Sequence, residues 1–163
     1  MVEMSELGAV DACMAAVFAA GLAWACVADV RRRIIPDAAV GLCVIAWAGG
    51  IASHVALGGV SPFAAVASGL VGSVVTGGFA LACSLAADRV SEGESLGGGD
   101  VKLLFAIGLH AGALAGLAVL AGACVLSLLY ALVRRITGRP VSDFPFAPFL
   151  ALSTAALAAA SFL

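Results

Sequence analysis

Two carboxylates, Asp29 and Asp100, each stand at the edge of a long apolar run, and Gly97-Gly98-Gly99 immediately precede the second. Paired carboxylates suit general acid–base activation of water. One accepts a proton from water while the other donates to a carbonyl oxygen or a leaving amine. Held close together, two such groups cannot both ionise easily, so they share a proton. The three glycines allow backbone conformations closed to other residues and let another chain approach. Phosphate-loop readings fail on spacing. After Gly93, a Walker pattern needs Lys where Gly99 stands, and Lys102 occupies the place of the third glycine in a dinucleotide fingerprint. Asp100 is expected at a helix N-terminus and Asp29 at a helix C-terminus. On macrodipoles alone this makes Asp100 the starting base and Asp29 the acid, with the Arg31–Arg33 run opposing that ranking.

The elements that must hold these groups are membrane helices. The 163 residues are 63% hydrophobic and 11% charged, with mean hydropathy +1.17. Ordinary soluble domains are about 45–50% apolar and about 25% charged. A net charge of −2, with no basic cluster beyond Arg31-Arg32-Arg33, argues against nucleic acid as a partner. Long apolar runs recur, and in lipid a backbone is satisfied only within its own segment, so the class is an all-α polytopic membrane helix bundle. The whole chain, 1–163, reads as one domain. The first run, about Ala12–Ala28, has no Lys or Arg before it, so it lacks a signal peptide's basic start and reads as a retained span. Further runs are about Ala38–Val55, Phe63–Ala87 and Val101–Val133, then Pro145–Leu163.

Val101–Val133 as one helix would be about 50 Å long, against a hydrocarbon core of about 30 Å. Gly108, Gly112 and Gly116 permit a break near Gly112, or they form a small-residue packing ridge. Charge placement favours the break. With six transmembrane segments, Arg31, Arg32, Arg33, Arg89, Lys102, Arg134, Arg135 and Arg139 all fall on one side. That side is cytoplasmic by the positive-inside rule, which puts both termini outside. The fourth segment is then short, tilted or partly re-entrant. Asp29 and Asp100 share the cytoplasmic boundary, where acidic groups facing a bundle interior are functional candidates. The plain alternative is a pair of solvated caps.

Three stretches taken together resemble the signatures of type IV prepilin peptidases, the GxGD-class aspartic proteases of the inner membrane. They are Asp29-Val-Arg-Arg-Arg-Ile-Ile-Pro36-Asp37, Gly97-Gly-Gly-Asp100-Val-Lys-Leu-Leu104 and Pro145-Phe-Ala-Pro148-Phe-Leu150. Their order, spacing and topology agree with that family over essentially the whole chain. The resemblance implies that Asp29 and Asp100 are the catalytic aspartates, with Gly97, Gly98 and Gly99 as the active-site loop. It implies cleavage of a pilin-like leader at the cytoplasmic face, just before the pilin's apolar helix, with no metal and no other cofactor. The partner is then a prepilin with a basic leader, read in contact with membrane lipid. Larger relatives carry a domain with paired C-x-x-C motifs and also N-methylate the pilin. This chain has no C-x-x-C, so peptidase activity without methylation is expected, as in the short peptidases of tight-adherence (Flp) pilus systems.

Pro36, Asp37, Lys102, Pro145 and Pro148 are supporting candidates. Asp37 stands where Asn is common in the family. It reads as a helix N-cap for the second span and is the first substitute should Asp29 prove dispensable. Lys102 lies about 200° around the helix from Asp100, so it reads as a cytoplasmic anchor rather than a partner. Pro145 and Pro148 open the last span, where a missing N–H costs little, and would shape the site's rim. Glu92 and Glu94 read as solvated loop charges, Trp24 and Trp47 as bundle-packing or interfacial residues, and the five cysteines as small apolar ones. His54 and His110 fall at outer span ends, too far from Asp100 to make a metal site. Two competing classes are a small six-span transport subunit and a non-catalytic assembly protein. The first would want polar groups in the span interiors. The second is opposed by the intact aspartates and glycines.

Overall fold

A computed structural model describes residues 2–56, 61–90, 96–138 and 144–160. They form five helices: α1 (Val2–Arg32), α2 (Asp37–Ala56), α3 (Pro62–Val90), α4 (Gly98–Ile136) and α5 (Ala147–Ala160). There is no strand among the described residues. The first four are long and apolar enough to cross a membrane; α5 is apolar and shorter. Glu92, Glu94 and Arg139 lie outside the described residues.

α4 is not one rod. Gly112 has φ 74° and ψ 179°, a conformation outside the helical region and essentially reserved for glycine. The arms on either side, 98–111 and 113–136, both lie along α3. Gly77 of α3 faces the Phe105 ring in the first arm, and its neighbour Thr76 faces Gly116 in the second. Two points well apart along α4 thus meet one level of α3, so the chain folds back at Gly112. The first arm is about 21 Å long, shorter than a hydrocarbon core. Gly108 meanwhile approaches the backbone of Gly72. Both sequence readings of the glycines hold, at different residues. Gly112 makes the break, while Gly108 and Gly116 let α3 come close. The helical segments among the described residues therefore number six.

The core gathers on the first arm. Leu103, Leu104 and Ile107 are fully buried and pack with Leu22, Ala25, Ala39, Cys43 and Leu150. The faces turned away carry large apolar side chains such as Phe63, Val74, Leu114 and Leu128, as lipid contact requires. α1 continues through the polar stretch before Asp11, longer than the apolar run alone suggests. It ends at Arg33, whose φ of 53° is left-handed and whose N–H donates to the Asp29 carbonyl at 2.8 Å. That turn closes the helix and sends Ile34–Pro36 back across the bundle.

Candidate active site

Asp29 faces inward because it continues a helical stripe. Leu22, Ala25 and Asp29 recur at i, i+3 and i+7, and all three are buried. Asp100 stands in the first turn of α4 and heads the stripe Asp100, Leu103, Leu104, Ile107. The two stripes face each other across the core, and the carboxyls lie close enough for their charges to act on one another. Asp29 is only 7% exposed.

A third element completes the arrangement. The Asp29 Oδ2 accepts the backbone N–H of Ala147, the first residue of α5, at 3.0 Å. The local sequence explains why that N–H is free for it. Pro148 has no N–H, and the Phe149 N–H donates to the Phe146 carbonyl at 3.0 Å. Helix α5 therefore opens with the Ala147 donor directed outward. The Cys26 thiol, one turn before Asp29, donates to the Ala147 carbonyl at 3.5 Å. Both backbone polar atoms of buried Ala147 are thus held by α1. Tyr130, Phe144 and Phe149 form a ring cluster, with centroids 5.5–5.7 Å apart, that ties the start of α5 to the end of α4.

Asp100 differs. Its Oδ1 is buried and has no hydrogen-bond partner among the described residues. The expected ranking of the two aspartates used only the helices that carry them. The structure adds a second helix terminus, that of α5, on the Asp29 side.

The glycine loop works through close approach rather than unusual backbone. Gly97 caps α4 with φ −59° and ψ 141°, which any residue adopts, and none of the three glycines has a positive φ. That corrects the expectation of conformations closed to other residues. The close approach is real at Gly99, where an added Cβ would lie 3.0 Å from the Ile35 Cβ. A Cβ on Gly97 would lie 3.3 Å from the Asp100 Oδ2, and one on Gly98 meets nothing. The Ser84 hydroxyl donates to the Leu96 carbonyl at 3.0 Å, which fixes the start of this segment to α3.

Asp37 is not a cap. The Pro36 carbonyl accepts the first helical N–H groups, those of Ala39 and Val40, so Pro36 is the cap and Asp37 the first helical residue. Asp37 instead accepts from the Lys102 Nζ at 2.8 Å, an exposed pair. Lys102 points away from Asp100, as its spacing implies, and its partner is a protein carboxylate rather than lipid alone. Pro145 precedes α5 and Pro148 lies in its first turn, so both border the Ala147 donor. His54 pairs with Asp11 at 2.9 Å, and the His110 ring lies 4.0 Å from that of Phe18. They line a cavity of about 600 Å³ with Trp47 and Met14, remote from the aspartates in sequence register. Among the described residues no three His, Cys, Asp or Glu side chains converge as a metal site.

Two participants were missed from sequence, the Ala147 N–H and Ile35. The first had a signal, since a P-x-x-P that opens a helix leaves few first-turn donors. Ile35 had none, because one apolar residue in a link says nothing about what it covers.

Neither curated proteins nor solved structures give a match to this chain. A sequence model of the type IV leader peptidase family matches residues 16–132. That stretch runs from the middle of α1 into the second arm of α4. It contains Asp29, the three glycines and Asp100, and on this match the chain belongs to the type IV leader peptidase family.

Proposed function

We propose that this chain is an aspartic endopeptidase that removes the leader of a type IV or Flp-type prepilin. It acts at the cytoplasmic face of the inner membrane and does not N-methylate the product. The observation that carries the reading is the convergence of Asp29 and Asp100 from distant parts of the chain, one fixed by the α5 N-terminus and the other with its buried Oδ1 unpaired among the described residues. Such a pair is costly to bury unless it is used.

The arrangement suggests roles. The Ala147 N–H and the α5 dipole favour Asp29 as the acceptor, and hence as the base that takes a proton from water. Asp100, whose Oδ1 meets no donor among the described residues, is the acid. Water attacks the scissile carbonyl carbon as its proton passes to Asp29, and Asp100 protonates the carbonyl oxygen. Collapse of the tetrahedral intermediate breaks the C–N bond as the proton on Asp29 goes to the leaving amine and one hydroxyl proton of the intermediate returns to Asp100. This reverses the ranking expected from the aspartates' own helices. The missing C-x-x-C motifs support the absence of methylation.

The test is cleavage of a prepilin in membranes that hold this chain or its Asp29→Asn or Asp100→Asn form at matched expression. Leader loss is read by immunoblot mobility. Cleavage by the parent and none by either variant is expected. Equal cleavage by all three assigns the activity to another protease and ends the proposal.

A further inference from the structure

A cleft of about 570 Å³ runs between α3 and the second arm of α4. Phe79, Leu117 and Leu120 line it beside four smaller residues, Cys83 and Ala87 of α3 and Ala121 and Cys124 of α4. These four are exposed, so the cleft opens sideways, toward lipid in a membrane. Among the described residues no charged one lines it. Leu96 and Phe146 also line it, both half-buried. These are the residues immediately before Gly97 and Ala147. The cleft therefore adjoins the two segments that present Asp100 and hold Asp29.

We infer that this cleft receives the apolar segment of the peptide substrate next to the scissile bond. The walls Cys83, Ala121 and Cys124 then set which apolar side chains fit. The inference rests on the peptidase reading and deepens it. Continuity with the site identifies the occupant. A lipid chain would fill any lateral groove, whereas this one adjoins both loops that carry the reaction. The groove between α2 and the first arm, lined by Val44, Phe105 and the Asp37–Lys102 pair, lies on the α4 face turned away from Asp100.

The probe is a synthetic precursor with a Lys-rich leader ending in Gly, then a Leu/Ala helix long enough to span a bilayer. It carries one cysteine in the first turn after the Gly. It is oxidised with copper phenanthroline in membranes that hold the full-length Asp100→Asn chain, and the disulfide is mapped by mass spectrometry. A bond to Cys83 or Cys124, abolished by Cys83→Ser with Cys124→Ser, is expected. A bond only to an added Gly41→Cys in the α2 groove, or none at all while the parent cleaves the precursor, overturns the inference. In the second case the cleft holds lipid.

In the otherwise unaltered chain, Ala121→Phe is expected to raise KM for this precursor about tenfold while kcat stays within about twofold. The ratio should recover when the precursor's first-turn Leu residues become Ala. A fall in kcat with no dependence on side-chain size would also overturn it. Absence of cleavage by the parent removes the peptidase reading itself, and the inference with it.

Discussion

Asp29 and Asp100 are alike in type, the first buried and the second half-buried, and their surroundings make opposite demands on a substitute. Asp29 satisfies the buried Ala147 N–H. Asn keeps an acceptor there, so Asp29→Asn should lose cleavage with little loss of stability. Asp29→Leu leaves that donor unpaired, which costs about 1–3 kcal/mol. Asp100 carries a buried oxygen with no partner among the described residues, so Asp100→Leu should lose cleavage while stability holds or rises. Thermal unfolding in detergent, paired with the cleavage assay, separates these outcomes. Equal destabilisation by the two Leu variants would remove the distinction drawn between the aspartates. The glycines divide in the same way. Gly98→Ala adds a Cβ into open space within a helix, so it should keep cleavage and gain up to about 1 kcal/mol. Gly99→Ala presses on Ile35 at 3.0 Å and should cost about 1–3 kcal/mol. Ile35→Ala should reduce that penalty in a double-mutant cycle. Sequence made the aspartates legible, since carboxylates are rare at the edges of apolar runs. It did not tell Gly98 from Gly99, because their difference lies in a neighbour more than sixty positions away.

Elements were legible where length and hydropathy decide them, as for α2 and α3, and ambiguous where glycine alone punctuates. Gly108, Gly112 and Gly116 share one spacing and one residue type. What separates them is a backbone torsion at Gly112 and the proximity of α3 at the other two, neither of which spacing reports. Arg33 was legible only as charge. Its place in the left-handed turn that ends α1 gives it a backbone role beside any role of its guanidinium. Gly and Val substitutes both delete that side chain, so comparing them isolates the backbone. Arg33→Val should be less stable than Arg33→Gly by about 1–2 kcal/mol, the cost of a left-handed conformation to an ordinary L-residue. Because this turn delivers Ile35 to Gly99, the Val variant should also cleave more slowly. Matching unfolding temperatures for the pair would show that the turn relaxes without cost.

At the scale of the molecule, the fold-back at Gly112 settles which charges share an end. If α4 ran straight, Arg134 and Arg135 would stand at the far end from Lys102. Because the arms reverse against α3, Lys102 and the Arg134–Arg135 pair lie at one end of the bundle. The last turns of α1, with Arg31 and Arg32, and of α3, with Arg89, lie there too. The Asp11–His54 pair joins α1 and α2 at the opposite end. Lys and Arg within short loops direct orientation far more than acidic residues do, so the basic end should face the cytoplasm with both aspartates at its level. This gives a paired expectation. Alkaline phosphatase fused after Thr137 should be inactive, since that position follows the second arm at the basic end. The same enzyme fused after Leu163 should be active, since α5 leads away from that end. A green fluorescent protein reporter should give the inverse pattern at both positions. Like activity at the two sites would mean that α5 does not carry the chain across. The first arm adds a second measurement. At about 21 Å it ends inside a core of about 30 Å, so a cysteine at Ala111 should resist a membrane-impermeant maleimide unless the cavity bordered by His54 and His110 admits water. Rapid labelling from outside, blocked when Trp replaces Gly50 in that cavity, would show that the short arm stands beneath a water-filled vestibule. No labelling would show that lipid or packed side chains close it. The first result would place the Asp29 and Asp100 carboxyls about one short helix away from outside water, and the second would leave the basic end as their only aqueous side.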